Sequence, residues 1–191
     1  MRCIFLKLQL MSKIKNQTSL KTLFSKAQIS KRVDALAQEI VADYPKEFLV
    51  IVILKGSFVF AADLIRALET NGGSAQVDFI SLSSYGLGSN SSGTVTVKQD
   101  LIEDVSGRPV LVIDDILESG RTISFAVEMM KKRQAATVKT CLLLDKPGRR
   151  KVDIEADYVG FKIDPHFVVG YGLDLANKYR GLPYIGIIEN I

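Results

Sequence analysis

The stretch "VLVIDDILESGRT", residues 110–122, runs from a buried strand into an anion site through three acids. Val110, Leu111, Val112 and Ile113 form a short apolar run, as a strand covered on both faces requires. Ser119, Gly120, Arg121 and Thr122 read as a tight turn opening a helix, where backbone amides can hold a phosphate. Between them stand Asp114, Asp115 and Glu118. Carboxylates repel a phosphate, so the acids need another partner. A ribose 5-phosphate offers both groups: a phosphate for the turn, and a vicinal diol for Asp114 and Asp115, which leave the strand end together. An acidic strand end followed by an ordinary helix cap would carry the same residues, and spacing alone does not separate the two readings.

Outward from this stretch, strand and helix patterns alternate. Val33, Leu36, Ala37, Ile40 and Val41 share one helical face over residues 31–43, with Ser30 as the expected cap. "FLVIVIL" (48–54) is a second buried strand, followed by "KGS". A helix through Phe58, Ala61, Ala62, Ile65 and Leu68 stops at "NGG" (71–73). "AQVDFISLSS" (75–84) is extended, "YGLGSNSSG" (85–93) reads as a mobile loop, and "TVTVKQD" (94–100) as a strand. A helix with Ile123, Ala126, Val127 and Met130 on one face follows the opening stretch, and then the strand "TVKTCLLLD". The last fifth holds short apolar pieces broken by Gly and Pro. Such alternation predicts an α/β fold with a mostly parallel sheet flanked by helices. Ligands bind such sheets outside the carboxyl ends of the strands, where "LKGS", "DDILESGRT" and "LLLDKPG" all fall.

The composition narrows the function. The chain has 191 residues, enough for one domain with a substantial core, and neither repeat nor linker divides it. Its net charge of +4 suits a polyanionic small molecule and permits nucleic acid. Cys3 and Cys141 make no disulfide framework and no metal-type spacing, so a reduced, cytoplasmic protein is expected. With His166 the only histidine, a metal site must be built from carboxylates and ligand oxygens. "MRCIFLKLQLM" lacks a clean apolar core and a cleavage site, so it is not expected to be a signal peptide. Met11 is a candidate start, with residues 1–10 an upstream extension. No apolar run approaches a membrane span. The motifs GxxxxGK[ST] and GxGxxG are absent.

The opening stretch resembles the signature of the type I phosphoribosyltransferases, which bind phosphoribosyl pyrophosphate. "LKGSFVFAADLIRAL" (54–68), "SSYG" (83–86) and "DKPGRRKVDIEADYVGFKIDPHFVVGYGLDLANKYRGLPYIG" (145–186) are similar to the hypoxanthine(-guanine) branch of that family. The resemblance covers about residue 28 to the C-terminus. It implies the type I fold with a small hood from the chain ends, residues 28–191 as the domain, and residues 1–27 as an N-terminal extension. It also implies purine salvage: transfer of the phosphoribosyl group to hypoxanthine, and to guanine, with release of pyrophosphate. Two alternatives stand beside it: a relative preferring xanthine, and an RNA-binding regulator on the same fold.

The roles carried over are the family's. Asp114 and Asp115 match the acidic pair on the ribose hydroxyls, and Ser119, Gly120, Arg121 and Thr122 the phosphate loop. Lys55 and Gly56 match a Lys-Gly pair, its peptide often cis, that turns its backbone toward pyrophosphate. Arg180 matches a pyrophosphate-binding arginine, and Ser84 and Tyr85 begin a loop that closes over the site. Lys146 matches the donor to the purine 6-oxo group, Phe167 the aromatic that stacks on the base, and Val168 a backbone contact to it. Asp174 matches an acid near a second magnesium and the base edge. Mg2+ is the implied cofactor, with Asp114, Asp115 and Asp174 as metal-side carboxylates. Glu118 stands where the family usually has Asp, as the general base, so the carboxylate is kept and one methylene is added. His166 is expected to be a surface loop residue. A homodimer or homotetramer is the expected assembly.

Overall fold

The structure is a computed structural model that describes residues 20–44, 47–84 and 95–189. Nine strands and three helices follow in the order β1 (Leu20–Phe24), α1 (Lys26–Asp43), β2 (Glu47–Leu54), α2 (Phe58–Thr70), β3 (Ser74–Ser84), β4 (Val95–Gln99), β5 (Pro109–Leu117), α3 (Arg121–Lys132), β6 (Thr137–Asp145), β7 (Tyr158–Lys162), β8 (Val168–Val169) and β9 (Ile185–Ile188). A short 3-10 turn, Pro147–Arg149, follows β6.

The six-stranded sheet has the order β4-β3-β2-β5-β6-β7. Every pair in it is parallel except the edge pair β3–β4. Its central strand β2 is buried from Phe48 to Ile53, which explains the unbroken apolar run. α1 and α2 cover one face of the sheet through Leu36, Ile40, Phe60 and Leu64, packed on Val50, Val52, Leu111 and Ile113. α3 covers the other through Ile123, Ala126 and Met130, packed on Leu49, Ile51, Val110 and Val112. Alternate residues of β2 and β5 thus feed opposite cores, as strand geometry dictates.

β2 pairs with β3 on one side and with β5 on the other. The strand order reverses there, so the crevice beyond the carboxyl ends of β2 and β5 is the natural ligand position. The turns after β2 and β5 flank it. Above it lies a second, antiparallel sheet of order β1-β9-β8. This is the hood, and Phe24 stacks on Phe161 at 4.0 Å to fasten it to β7.

Residues 20–27, read above as extension, supply β1 and the start of α1. α1 begins at Lys26, capped by Ser25 rather than Ser30. Ser25 and Gln28 form a reciprocal capping box, and Ile29 already lies on the buried face, so the helix starts more than a turn earlier than its strongest apolar spacing suggests. The cis peptide is Leu54–Lys55, one bond before the Lys55–Gly56 link. The chain changes course at the strand end itself, and Lys55–Ser57 then form the turn. Tyr85 and the expected loop after Ser84 lie outside the described residues, as does Cys3.

Candidate active site

Asp114 and Asp115 lie inside β5 rather than past its end. Successive strand residues face opposite sides, and the pair divides accordingly. Asp115 lines a cavity of 330 Å3, while Asp114 is buried and does not line it. The Asp115 N–H donates to Asp114 Oδ1 at 2.9 Å. Asp115 also lies against the turn after β2: a Cβ built on Gly56 would fall 1.5 Å from its Oδ2. Only glycine lets the β2 turn and the β5 acid approach so closely.

Burial, reinforced by the Asp115 carboxylate, pushes the Asp114 carboxyl well above the ordinary carboxylate range. Burial raises Asp115 as well, and hydrogen bonding with Asp114 and the Ile116 backbone, then the Arg180 guanidinium, pull it partly back. A raised folded pKa means that the folded state binds more protons than the unfolded chain. Its stabilising contribution is complete below the unfolded value and is lost as pH rises through the folded one. Asp114→Asn removes that loss. In metal-free, substrate-free protein under chelator, the Asn variant should gain in Tm over the parent as pH climbs from about 4 to neutrality, by about 2–4 °C for each kcal/mol relieved. A Tm difference flat across that range would show that the pair costs the fold nothing.

The same cavity is lined by Glu118, Lys146, Phe167, Val168 and Asp174. Glu118 is the first residue beyond β5, and Lys146 the first beyond β6. The Lys146 N–H donates to Leu117 O at 2.9 Å, which joins the two strand ends. The Lys146 side chain is buried, and its Nζ lies 3.8 Å from a Glu118 carboxylate oxygen. Burial lowers the Lys146 pKa, and Glu118 opposes that. Phe167 is 43% exposed beside this polar floor, so a large aromatic face is open to a planar ligand. Val168 belongs to β8, and the hood thereby forms one wall of the cavity.

The phosphate turn lies beside the cavity rather than in it. α3 starts at Arg121 with Gly120 as cap, in the left-handed region at φ 83°. Gly120 has no side chain to cap the helix, so the first-turn amides of Thr122 and Ile123 keep no intrahelical partner and are available to an anion. The Arg121 N–H points at Ser119 Oγ, 3.4 Å away. The Ser119 carbonyl accepts from the Lys151 and Val152 N–H groups, which fixes the turn. Arg180 and Asp174 pair with each other at 2.6 Å. A larger groove of 970 Å3 between α1 and α2 shares only Arg180 with the expected site residues, and none of the acids of the opening stretch.

A family model described as "Phosphoribosyl transferase domain" matches residues 19–176. The chain belongs to this phosphoribosyltransferase family. It is 46% identical over 170 residues to a hypoxanthine-guanine phosphoribosyltransferase of Bacillus subtilis, an alignment covering 88% of this chain and 93% of the relative. A protein of the same name from Streptococcus pneumoniae is 44% identical over the same shares of the two chains. Among solved structures, a hypoxanthine-guanine phosphoribosyltransferase of Bacillus anthracis with HEPES in its active site superposes with a TM-score of 0.84 at 44% identity, covering 91% of this chain and all of that one.

Within this phosphoribosyltransferase fold, two arginines and a histidine join the expected residues. Arg149 lies 3.4 Å from the Glu118 carboxylate and lines the cavity. His166, expected on the surface, is exposed and lines it too. Arg150 binds the loops together: its guanidinium donates to Leu117 O at 2.6 Å, Glu118 O at 3.0 Å and Ile154 O at 3.2 Å, and pairs with buried Asp145. One signal for Arg150 was present in "LLLDKPGRR": an acid ending a buried strand needs a cation nearby.

Proposed function

We propose that this chain transfers the phosphoribosyl group of phosphoribosyl pyrophosphate to hypoxanthine, and to guanine, releasing pyrophosphate. The observation that carries the reading is the 330 Å3 cavity where Glu118, Lys146, Phe167, Asp115 and Asp174 meet beside an open helix N-terminus. Its volume suits one small planar ligand. Phe167 offers its face to the purine, and Lys146 donates to the 6-oxo oxygen. A cation at that position disfavours adenine, whose 6-amino group also donates. The α3 turn takes the 5-phosphate. Asp114 and Asp115 accept from the ribose hydroxyls, which relieves the buried Asp114 and the half-buried Asp115.

In the reaction, a purine ring nitrogen forms a bond to the anomeric carbon as the bond to pyrophosphate breaks. Glu118 takes the proton that the nitrogen sheds. Lys55, the Gly56 backbone and Arg180 face the negative charge that grows on the leaving group. Among the described residues no three His, Cys, Asp or Glu side chains gather into a metal cluster. The carboxylates of Asp114, Asp115 and Asp174 are nonetheless hard oxygen donors of the kind Mg2+ takes one or two at a time, with substrate oxygens and water completing its shell. When bound, Mg2+ would add positive charge beside the pyrophosphate oxygens. Free, buried Cys141 suits a reducing cytoplasm, and no helix among the described residues is long and apolar enough to cross a membrane.

The test is turnover with phosphoribosyl pyrophosphate and each of hypoxanthine, guanine, xanthine and adenine in turn, with and without chelator. Hypoxanthine should be consumed, adenine should not, and chelation should reduce turnover to background until Mg2+ is restored. Consumption of no oxopurine overturns the reading. Turnover that survives complete chelation overturns its metal requirement.

A further inference from the structure

The segment from Gly170 to Arg180 carries Asp174 and Arg180, and its backbone is unusual. Gly170, Tyr171, Gly172, Ala176, Asn177 and Tyr179 all have positive φ, at 98°, 50°, 102°, 52°, 63° and 72°. Among the described residues, four of the five non-glycine positions of this kind fall here. A bulky side chain in the left-handed region persists only where its surroundings hold it, and such positions gather at functional sites. The segment's backbone bonds fold it onto its own C-terminal end: Tyr171 N–H to Leu182 O at 2.8 Å, and Gly172 N–H to Arg180 O at 2.9 Å.

The Tyr171 side chain reaches outside the segment. Its ring is buried, and its hydroxyl donates to Asp63 Oδ2 on α2 at 2.6 Å. Arg66 pairs with the other oxygen of the same carboxylate. α2 is the helix that follows the Lys55–Ser57 turn. Next along the chain, Gly172 presses on that turn: a Cβ there would fall 2.1 Å from the Gly56 carbonyl oxygen. The Gly172 carbonyl in turn accepts from Arg180 at 2.7 Å, and Arg180 holds Asp174. A line of contacts therefore runs from Asp63 through Tyr171 to the two residues expected at pyrophosphate and base.

We propose that Tyr171 and Asp63 form a positioning pair that holds the Asp174–Arg180 segment in register with the Lys55–Gly56 turn, and so shapes the pyrophosphate end of the site. The inference rests on the proposed function for its kinetic form, and on geometry alone for its structural form. It differs from a plain core role for Tyr171, because a phenylalanine would fill a core equally well.

The experiment compares Tyr171→Phe, Asp63→Ala, Asp63→Asn and the double variant Tyr171→Phe/Asp63→Ala. Loss of either partner should raise the KM for phosphoribosyl pyrophosphate about tenfold, or about 1.4 kcal/mol, with the hypoxanthine KM within about twofold. The double variant should be no worse than the singles, since they remove one interaction. Asp63→Asn keeps an acceptor for the hydroxyl and should stay near the parent. Hydrogen exchange of the amides between 170 and 182 should quicken in ligand-free Tyr171→Phe, a readout that needs no turnover. Parental KM values with parental exchange overturn the proposal, as does an equal rise in both KM values. If the parent itself transfers nothing, exchange decides alone: quickened amides support the positioning role while the functional reading fails, and unchanged amides overturn both.

Discussion

Glu118→Gln should lower turnover by about 10²–10⁴-fold, the usual contribution of a positioned general base, and leave the affinity for phosphoribosyl pyrophosphate nearly unchanged. Glutamine keeps the size of the side chain and one acceptor, but cannot take the proton from the attacking purine. Glu118→Asp is the sharper variant, because it restores the residue usual in the family. The backbone under Glu118 is tied down: Arg150 holds the carbonyls of Leu117 and Glu118, and the Lys146 N–H holds Leu117 again. Aspartate therefore withdraws its carboxylate by one methylene, away from Arg149 and Lys146, and its rate should fall between those of Glu and Gln. Single-turnover rates with saturating phosphoribosyl pyrophosphate measure both. A glutamine variant as fast as the parent would move the base role to Asp115 or to water.

Lys146→Ala has the second large effect, and on the other substrate. A buried donor to a buried oxygen leaves roughly 1–3 kcal/mol unmet when it is removed, so kcat/KM for hypoxanthine should drop by about 5–150-fold. Binding of phosphoribosyl pyrophosphate, followed by calorimetry, should change by less than about twofold. Equal losses for both substrates would mean that the Lys146 side chain supports the site as a whole, through its pairing with Glu118, rather than the base.

The parallel core was legible because it is local. "FLVIVIL" and "VLVIDDIL" are continuous apolar runs at the centre of the sheet, and the acids and glycine that close the second run mark the site. What was less legible depends on partners far away in the chain. β1 pairs with β9, Leu20 opposite Ile188, and no periodicity in "LKTLF" announces that. The Ser25–Gln28 box precedes the strong apolar spacing of α1, which drew the expected start to Ser30. Asp114 and Asp115 read as a pair leaving the strand, whereas strand alternation separates them and burial couples them. The Tyr171 contact was not legible, because its partner Asp63 lies on another element and its left-handed backbone has no signature in a single residue.

The hood has a consequence for the order in which the molecule is assembled. β2 pairs with β3, β5 with β6 and β6 with β7, each the next strand along the chain, so much of the sheet and its phosphate turn can form from neighbouring segments. The base wall cannot. Val168 stands on β8, β8 is held by β9, and β9 is held by β1 from the far end of the described chain. Closing that loop spans nearly the whole polypeptide, and such distant pairings come late and cost most in chain entropy. The hood, which carries the wall proposed to face the purine, is thus expected to form last and to open first. If the proposed roles hold, a chain in partial opening should still bind a sugar phosphate after it has ceased to recognise a base.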